Sequence, residues 1–446
     1  MNRETRVMQI DIVKDDARTE VGSYFVSNYP PFSAWSREEI PAALSTLQTS
    51  GVSSAPLGLY IHIPFCRKRC KFCYFRVYTD KNSQDVDTYC DALVRECALY
   101  SRCAALADRP FDFVYFGGGT PSFLSSEQLE RLIEGIAEHF GWEHSREIAF
   151  ECEPGTLQRG KLETIKSIGV TRLSLGIEHL DDAVLELNGR AHKSAEVFRS
   201  YGWAREAGFD QINVDLIAGM LGDTTEKWYE TVDKTLALKP DSLTIYQMEV
   251  PHNSVIARES SDLGEPPVVP DWPTKRNWVD HAFKRFESAG YEVSSAYTMS
   301  RPREGGDFVY RNAVWHGADM IGMGVASFSH IAGVHYQNHD AWEDYIRLLN
   351  EGQLPIARAL SMTPLQQLTR ELVLQTKLGR IDAGYFRKKF GVDITRQYAD
   401  VYKGLSADGF VNVDGDAITL TRRGLLCVDA LLPQFFEPRY RNVRNT

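Results

Sequence analysis

The chain has few cysteines, no long apolar run and no excess of basic residues. Eight cysteines in 446 residues are far too few for a fold that depends on disulfide bonds. No stretch of about 18 apolar residues occurs, which excludes a transmembrane helix. Lys and Arg together number 50 against 60 for Asp and Glu, giving a net charge of −10. That balance argues against a general binder of nucleic acid or anionic membranes, since both need a basic surface.

The N-terminal segment also lacks the apolar core of a signal peptide, because residues 1–20 are largely charged and polar. Together with the scarcity of cysteine, this predicts a cytoplasmic protein. The length is about three times the ~150 residues of a typical domain. A hydrophobic content of 43% and a charged content of 25% are typical of a globular protein. We therefore expect one large catalytic domain with smaller additions.

Short β-rich runs alternate with amphipathic helical stretches through the first half of the chain. The strand candidates are residues 57–63, 111–116, 147–151, 171–176, 211–216 and 242–247. Repeated strand-then-helix units predict a parallel sheet, because parallel strands need crossover connections. Polar, glycine-rich motifs follow nearly every strand, at the end where barrel enzymes carry their chemistry. We therefore predict an α/β protein with a partial parallel (β/α)6 barrel.

Changes in composition predict four parts along the chain. They are an N-terminal arm at 1–54, the barrel at 55–300, a barrel-completing extension at 301–358 and a winged-helix-like domain at 359–446. The last part reads as helices followed by a hairpin, with Asp414 and Gly415 as its turn. Because the chain is acidic, we favour a structural or substrate-covering role for this domain over DNA binding.

Three of the cysteines crowd into eight positions directly after the first predicted strand, as Cys66, Cys70 and Cys73. Thiolates are soft ligands that favour iron–sulfur clusters or zinc. A structural zinc site normally has four ligands, and no further Cys or His lies nearby at suitable spacing. Three thiolates on a 4Fe–4S cluster would leave one iron open to a small chelating molecule. We therefore predict such a cluster at these cysteines.

The C-x3-C-x2-C spacing and several short words resemble the radical S-adenosylmethionine (SAM) superfamily, and within it oxygen-independent coproporphyrinogen III oxidase and its relatives. These short sequence motifs lie at residues 60–66, 115–122, 172–177, 213–219 and 322–329. The resemblance implies a barrel of the radical SAM type. It also implies a 4Fe–4S cluster and one or two SAM molecules as cofactors, with an electron donor such as flavodoxin or ferredoxin.

The resemblance also assigns site residues. By it, Tyr60, Gly118 and Glu151 contact the SAM that binds the cluster. The family's contacts to a second SAM carry over to Phe72, Gly119, Thr120, Arg190 and Asp215. At two further positions of that site the chain departs from the family, with Glu178 in place of glutamine and Phe328 in place of a small apolar residue. An internal ion pair between Arg190 and Asp215 is the alternative interpretation of those two residues.

Other residues are interpreted as structural. The segment 246–249 would border the substrate, with Met248 as part of the wall. His330, His335 and His339 are expected to be loop histidines, since their spacing fits no tight set of metal ligands. Strand alternation points Cys152 away from the site. Cys90, Cys97 and Cys427 are expected in the core.

The resemblance leaves three activities open. We favour methyl or methylene transfer to an unsaturated or aromatic acceptor, in which SAM is reductively cleaved to a 5′-deoxyadenosyl radical and a second SAM takes part. The second activity is oxidative decarboxylation of coproporphyrinogen III in heme biosynthesis, although Phe75 stands where that enzyme has a fourth cysteine. The third is a heme-binding chaperone, which also lacks that cysteine. In each case the expected partner is a flat small molecule such as a tetrapyrrole, with no membrane span and no nucleic acid. The catalytic residue is left unassigned.

Overall fold

Parallel strands followed by helices build the first half of the protein. The computed structural model describes residues 19–22, 25–302, 308–441 and 443. The strands are β1 (Leu57–Ile63), β2 (Phe111–Gly118), β3 (Glu147–Cys152), β4 (Arg172–Glu178), β5 (Gln211–Ala218) and β6 (Ser242–Gln247). Neighbouring strands in this series pair in parallel. The predicted strands are therefore confirmed, although several extend further at the carboxyl end than the sequence indicated.

The main sheet continues beyond these strands on both sides. Its other members are β7 (Glu292–Val293), β8 (Thr298–Ser300), β9 (Asp319–Met323), β10 (Phe328–Ile331), β11 (Val334–Asn338) and β12 (Ile356–Ser361). The order is β12-β11-β10-β9-β1-β2-β3-β4-β5-β6-β8-β7. Strand β9 pairs in parallel with β1, whereas β10, β11 and β12 follow it in antiparallel pairs. The sheet is thus mostly parallel, with an antiparallel extension beside β1.

Helices alternate with the strands in the first part of the chain, and most of them pack on the sheet face opposite the cavity. They are α1 (Ile40–Leu47), α2 (Ser83–Tyr100), α3 (Ser126–Ala137), α4 (Arg159–Ser167), α5 (Asp182–Leu187), α6 (Ser194–Glu206), α7 (Thr225–Leu238), α8 (Val255–Leu263) and α9 (Trp272–Glu287). Two of them begin at capping boxes, formed by Asn82 with Asp85 and by Ser125 with Gln128, which satisfy free N–H groups of the first turn. Among the described residues, no helix is both long and apolar enough to cross a bilayer.

The C-terminal part combines short helices with a small sheet. The helices are α10 (Val309–Trp315), α11 (Trp342–Asn350), α12 (Pro364–Thr376), α13 (Ala383–Phe390), α14 (Ile394–Gln397), α15 (Ala399–Ala407), α16 (Arg422–Leu426) and α17 (Val428–Leu431). The sheet contains β13 (Arg380–Asp382), β14 (Val411–Asp414) and β15 (Ala417–Leu420). The predicted hairpin is confirmed, with Gly415 at a φ of 57° in its turn. The division of the chain into four parts stays a prediction.

The N-terminal arm packs against this C-terminal part. Val26 and Tyr29 belong to the same hydrophobic cluster as residues of α12 to α17. The Tyr29 hydroxyl donates to Glu437 at 3.0 Å, and the Lys377 ammonium donates to the Val26 carbonyl. The Tyr29–Glu437 bond therefore joins two segments that are 408 residues apart in the sequence.

Strand alternation gives the barrel a polar interior. In β1, Leu59 and Ile61 enter the main hydrophobic core, whereas Tyr60 and His62 face inward. Deep in the interior, Arg172 on β4 forms an ion pair with Glu147 on β3 at 2.8 Å, and both side chains are about 95% buried, with exposures of 3% and 5%. A buried charge is costly unless a partner compensates it. Removing one partner of this pair would therefore leave the other charge buried and poorly compensated, and would destabilise the fold.

We expect Arg172→Met to lower the free energy of unfolding by about 3–5 kcal/mol, because it leaves the Glu147 carboxylate buried without that partner. Arg146→Met is the matched control, since Arg146 forms an exposed pair with Asp112 and its loss should cost at most about 1 kcal/mol. Urea unfolding followed by circular dichroism measures both values. Equal losses in the two variants would contradict a stabilising role for the buried pair.

Candidate active site

The inward-facing strand residues line one large cavity of about 1610 Å³. It extends from the cysteine loop at the carboxyl ends of the parallel strands to the antiparallel strands β10 and β11. Typical ligand sites measure about 300–1,000 Å³. The cavity is therefore large enough for a cofactor together with a sizeable substrate.

Backbone hydrogen bonds hold the cysteine loop in place. The Cys66 amide donates to the Tyr78 carbonyl at 3.0 Å, and the Lys71 amide donates to the Asn188 carbonyl at 3.0 Å. Gly119 lets the loop approach closely, because a Cβ there would lie 2.9 Å from the Phe65 carbonyl oxygen. The loop is thus fixed between the ends of β2 and α5 by contacts that do not depend on its thiols.

An ionic network of partly exposed Arg67 with buried His192 and nearly buried Glu153 holds the same loop to the segment after β3. Arg67 donates from Nε and Nη2 to the two oxygens of Glu153, each at 3.0 Å, and the His192 ring lies 2.8 Å from the same carboxylate. Burial raises the pKa of Glu153, but the bonds from His192 and Arg67 outweigh it and hold the pKa at about 2. Glu153 is therefore a permanent anion that orients Arg67.

The thiols of Cys66, Cys70 and Cys73 all line the cavity. Burial raises the pKa of Cys66 to about 11 and that of Cys73 to about 12, so these thiols are neutral until they bind a metal and lose their protons. Among the described residues, no three Cys, His or acidic side chains are near enough to share one metal ion. In a 4Fe–4S cluster the thiolates bind different iron atoms, which requires thiols set apart around one space. The three cysteines fit such a cluster.

Arg190 connects the cysteine loop to the barrel wall. Its Nη1 donates to Cys70 Sγ at 3.1 Å and its Nη2 donates to the Gly176 carbonyl at 2.6 Å. The buried Nε of Arg190 has no hydrogen-bond partner in the described structure. The side chain therefore brings a fixed positive charge to the thiols and keeps one donor free.

Glu151 lies at the centre of the wall formed by β2 and β3. Its carboxylate accepts from the Tyr115 hydroxyl at 2.6 Å and from the Gly118 amide at 3.2 Å. Burial raises the pKa of Glu151 to about 7 against the lowering effect of Tyr115, and Asp215 adds to the rise. Tyr60 stacks on Tyr115 with ring centroids 5.9 Å apart. Glu151 can thus change its charge near neutral pH.

The predicted alternative of an Arg190–Asp215 ion pair is wrong. Asp215 instead accepts from the Ser174 hydroxyl at 2.8 Å and from the Asn213 amide at 2.9 Å. Asp215 also lies inside β5 rather than at its end, because the strand continues to Ala218. Its carboxylate is therefore held by neutral donors, and burial raises its pKa.

Glu178 lies at an irregularity in the register of β4, with its backbone in the left-handed region at a φ of 60°. This conformation is uncommon for residues other than glycine and often marks a functional site. The carboxylate lies 3.6 Å from Arg190 Nη1. Burial raises the pKa of Glu178 to about 7 although Arg190 lowers it. With Glu151 and Asp215, it forms a group of buried acids that favours a cationic ligand.

The remaining predicted residues border the same cavity. The Thr120 hydroxyl lies 3.4 Å from Cys66 Sγ, and Phe72 lines the wall beside the cysteine loop. Phe328 stacks on Phe32 of the N-terminal arm with ring centroids 4.2 Å apart. The structure thus brings every predicted site residue to one cavity, and their roles in binding stay predictions.

The interpretation of two histidines as loop residues is wrong. His330 lies on β10 and His335 on β11, and both are buried on the inner face of the sheet. Burial lowers the pKa of each well below its usual value. The mistake arose because their strands are short and begin after a glycine-rich stretch. His339 does lie in a loop, as expected.

Cys90 and Cys97 are core residues, as expected, whereas Cys152, expected to point away from the site, borders the cavity as well as the core, as does Cys427. Cys90, Cys97 and Cys152 belong to the main core and Cys427 to the C-terminal cluster. Met248 is buried and lines the cavity.

Sequence reasoning missed several residues that line the cavity. His62 could have been found, because strand alternation places it on the same face as Tyr60. Its Nε2 is buried without a hydrogen-bond partner. Asn28 and Arg370 also line the cavity, but they come from opposite ends of the chain. No local pattern indicates that such distant residues meet.

Comparisons with known proteins agree with this arrangement. The model of the radical SAM superfamily matches residues 60–235. The oxygen-independent coproporphyrinogen III oxidase of Synechocystis sp. is 27% identical over 424 residues, covering 90% of each chain. The heme chaperone HemW of Bacillus subtilis is 29% identical over 374 residues, covering 82% of this chain and 96% of the relative.

The fold agrees as well. The solved structure of coproporphyrinogen III oxidase (HemN) from Escherichia coli superposes with a TM-score of 0.81 at 24% identity, covering 94% of this chain and 99% of that one. At this identity the likeness concerns the fold, which confirms an α/β structure of the radical SAM type. Residues 60–235 thus match a radical SAM domain, and the chain as a whole is similar to oxygen-independent coproporphyrinogen III oxidase and to heme chaperone HemW.

Proposed function

We propose that the protein is a radical SAM enzyme that oxidatively decarboxylates propionate side chains of a tetrapyrrole of the coproporphyrinogen type. The observation that carries this proposal is the continuity of the cavity, which runs from the three thiols into an interior lined by aromatic and basic side chains. A flat macrocycle needs aromatic walls, and its propionates need cationic partners. The names of the relatives support the same substrate class.

Methyl or methylene transfer, the activity that the sequence favoured, is less well supported. The relatives reported above are named for coproporphyrinogen oxidation and for heme handling. They favour the two alternatives that the resemblance left open over a transfer reaction. We therefore do not retain transfer as the main proposal.

Cys66, Cys70 and Cys73 would hold the 4Fe–4S cluster, and Arg190 would offset part of its negative charge through its bond to Cys70 Sγ. When bound, the cluster and SAM supply reductive cleavage of SAM and a radical that removes a hydrogen atom from the substrate. Glu151 would accept a hydrogen bond from the amino group of SAM, since its oxygens keep lone pairs beyond those used by Tyr115 and Gly118.

A second SAM would lie beside Arg190 and Asp215. Arg190 can pair with the carboxylate of the ligand, and Asp215 can accept from ribose hydroxyls. Glu178 would attract the sulfonium by a few kcal/mol, about 3 kcal/mol for a separation near 5 Å at an effective dielectric near 20. Phe72, Gly119 and Thr120 would complete the wall on the side of the cysteine loop.

The proposed reaction balances as follows. Each propionate loses one hydrogen atom from its β carbon, then carbon dioxide and one electron, and a vinyl group remains. The electron passes to a one-electron acceptor. The protein excludes water from the radical by covering the cavity with Phe32 and Trp35 of the arm, which pack on Phe328.

A heme chaperone is the second candidate, and one observation favours it. Phe75 is 47% exposed at the position where the resemblance places a fourth cysteine in the oxidase. The chaperone relatives have the same three-cysteine arrangement by that resemblance. In this function the cavity would hold heme without turning it over.

We expect Cys66→Ala, Cys70→Ala and Cys73→Ala each to abolish the 4Fe–4S cluster in anaerobically reconstituted protein, because three thiolates are the minimum set that the loop offers. Iron and sulfide analysis with visible absorption measures this. Cys152→Ala and Cys90→Ala are the matched controls and should keep full cluster content. Loss of the cluster in a control variant would overturn the ligand assignment.

Binding of SAM should tighten by about tenfold between about pH 6 and pH 8, because Glu151 and Glu178 ionise in this range and the anions attract the cationic ligand. Glu178→Gln should weaken SAM binding, flatten this pH dependence and leave cluster content unchanged. Glu186→Gln is the control, since Glu186 is exposed on α5 with a side-chain exposure of 74%. Calorimetric titration measures the affinities. An unchanged affinity and slope in Glu178→Gln would show that Glu178 does not face a sulfonium.

With coproporphyrinogen III, SAM and a strong reductant, we expect carbon dioxide and 5′-deoxyadenosine to form together. Asp215→Ala should abolish carbon dioxide release yet leave reductive cleavage of SAM largely intact, since Asp215 bonds to Ser174 and Asn213 and not to the thiols among the described residues. Loss of both activities would indicate a damaged barrel. If wild-type protein binds heme tightly and releases no carbon dioxide, the chaperone function replaces the oxidase. Formation of S-adenosylhomocysteine would instead restore the transfer reaction.

A further inference from the structure

A buried arginine lies at the end of the cavity opposite the cysteine loop. Arg370 on α12 is 4% exposed and lines the cavity. Its Nε donates to Asn28 Oδ1 of the N-terminal arm at 3.0 Å. Within the described part of the chain, its terminal nitrogens have no hydrogen-bond acceptor, and they are not sealed from the cavity. This guanidinium is therefore aimed into the cavity without a counter-ion.

The acids nearest to Arg370 are engaged elsewhere. Glu371 accepts from Tyr385 at 2.5 Å and from Lys389 at 2.7 Å. Asp319 pairs with Arg109 at 2.7 Å and accepts from the Ala332 amide at 2.8 Å. Neither carboxylate forms an ion pair with Arg370 among the described residues. A buried charge without a partner is costly, so its presence in a cavity wall points to a ligand.

Apart from the carboxylates of Glu371 and Asp319, which other cations already engage, the groups around Arg370 are neutral or positive. His330 and His335 are neutral, because burial and then the charge of Arg370 lower the pKa of each. Arg358 on β12 also lines this part of the cavity, donating to Gln337 at 2.7 Å and to the Phe32 carbonyl at 2.8 Å. Burial lowers the pKa of Arg370 to about 10, which leaves it charged at neutral pH. The wall here is thus built for an anion.

The sheet register sets the distance from the cysteine loop. His330 pairs with Met320, and Met320 pairs with Gly58 near the start of β1. The cysteine loop begins after Ile63, five residues further along that strand. At about 3.3 Å per residue, the level of His330, which feels the charge of Arg370, lies about 17 Å from the start of the cysteine loop along the strand direction. An anion bound at Arg370 would therefore be remote from the reacting group.

We propose that Arg370 binds a carboxylate of the substrate that is not reacting, and thereby orients the macrocycle toward the cysteine loop. The proposal rests on the proposed function, since it takes the ligand to be a tetrapyrrole with several propionates. The subsite lies outside the cysteine loop and outside the sequence motifs assigned to SAM binding. Two N–H groups of a guanidinium match the two oxygens of one carboxylate.

The test is a binding titration of coproporphyrin III, the oxidised form of the substrate, followed by quenching of protein fluorescence in the reconstituted enzyme. We expect Arg370→Gln to weaken binding by about 10- to 100-fold, and Arg370→Lys to restore part of the affinity. The methyl ester of coproporphyrin III should bind wild-type protein and Arg370→Gln equally. Arg146→Gln is the matched control, because Arg146 forms an exposed pair with Asp112 and does not line the cavity.

The SAM affinity and the thermal unfolding temperature of Arg370→Gln should both match those of wild-type protein. Unchanged values show that the substitution acts locally and does not damage the fold. If Arg370→Gln binds coproporphyrin III as tightly as wild-type protein, the subsite is refuted while the proposed function stands. Equal loss of the acid and of its ester would also refute it, since a carboxylate partner would then not be involved. Failure of the wild-type protein to bind coproporphyrin III would overturn both proposals.

Discussion

The bond between Arg67 and Glu153 is the interaction on which the site depends most. It joins the cysteine loop to the segment after β3 through two parallel hydrogen bonds, and His192 completes it from the loop before α6. The thiols themselves offer little to hold the loop, because burial keeps Cys66 and Cys73 protonated and neutral. The position of the three cysteines is therefore fixed by this ion pair and by the backbone hydrogen bonds of the loop, none of which needs a metal. This pre-organisation reduces the entropy that cluster binding must otherwise overcome.

A second constraint follows from the polar interior. Alternation along the parallel strands directs apolar residues to the helices and polar residues to the cavity, so acids and bases are buried together. Where the acids face one another, as Glu151 and Glu178 do with Asp215, burial and mutual repulsion raise their pKa values. Where they meet arginine, as Glu153 does, the pKa falls instead. The interior is thus divided into a region that favours a cation beside the cysteine loop and one that favours an anion at Arg370.

The sequence was sufficient for features that depend on local pattern. Alternation and helical spacing predicted the parallel strands, and the cysteine spacing predicted where the thiols lie. The family resemblance predicted that Arg190, Asp215 and Glu178 belong to one site, and all three line the same cavity. The sequence did not predict contacts between segments that are distant in the chain. The arm contributes Asn28 to the same wall as Arg370, and His330 and His335 face inward only because a short antiparallel extension follows β9. Such contacts depend on tertiary packing, and no window of sequence contains both partners.

The arm also has a consequence for how the protein is made. Tyr29 leaves the ribosome 408 residues before Glu437, to which its hydroxyl donates. Domains generally fold in the order in which they are synthesised, so the parallel strands can form while this side of the cavity is still open. The nascent protein would then expose its interior until the residues on which the arm packs are added. Delivery of an iron–sulfur cluster to the nascent chain would have an open route that the finished protein closes.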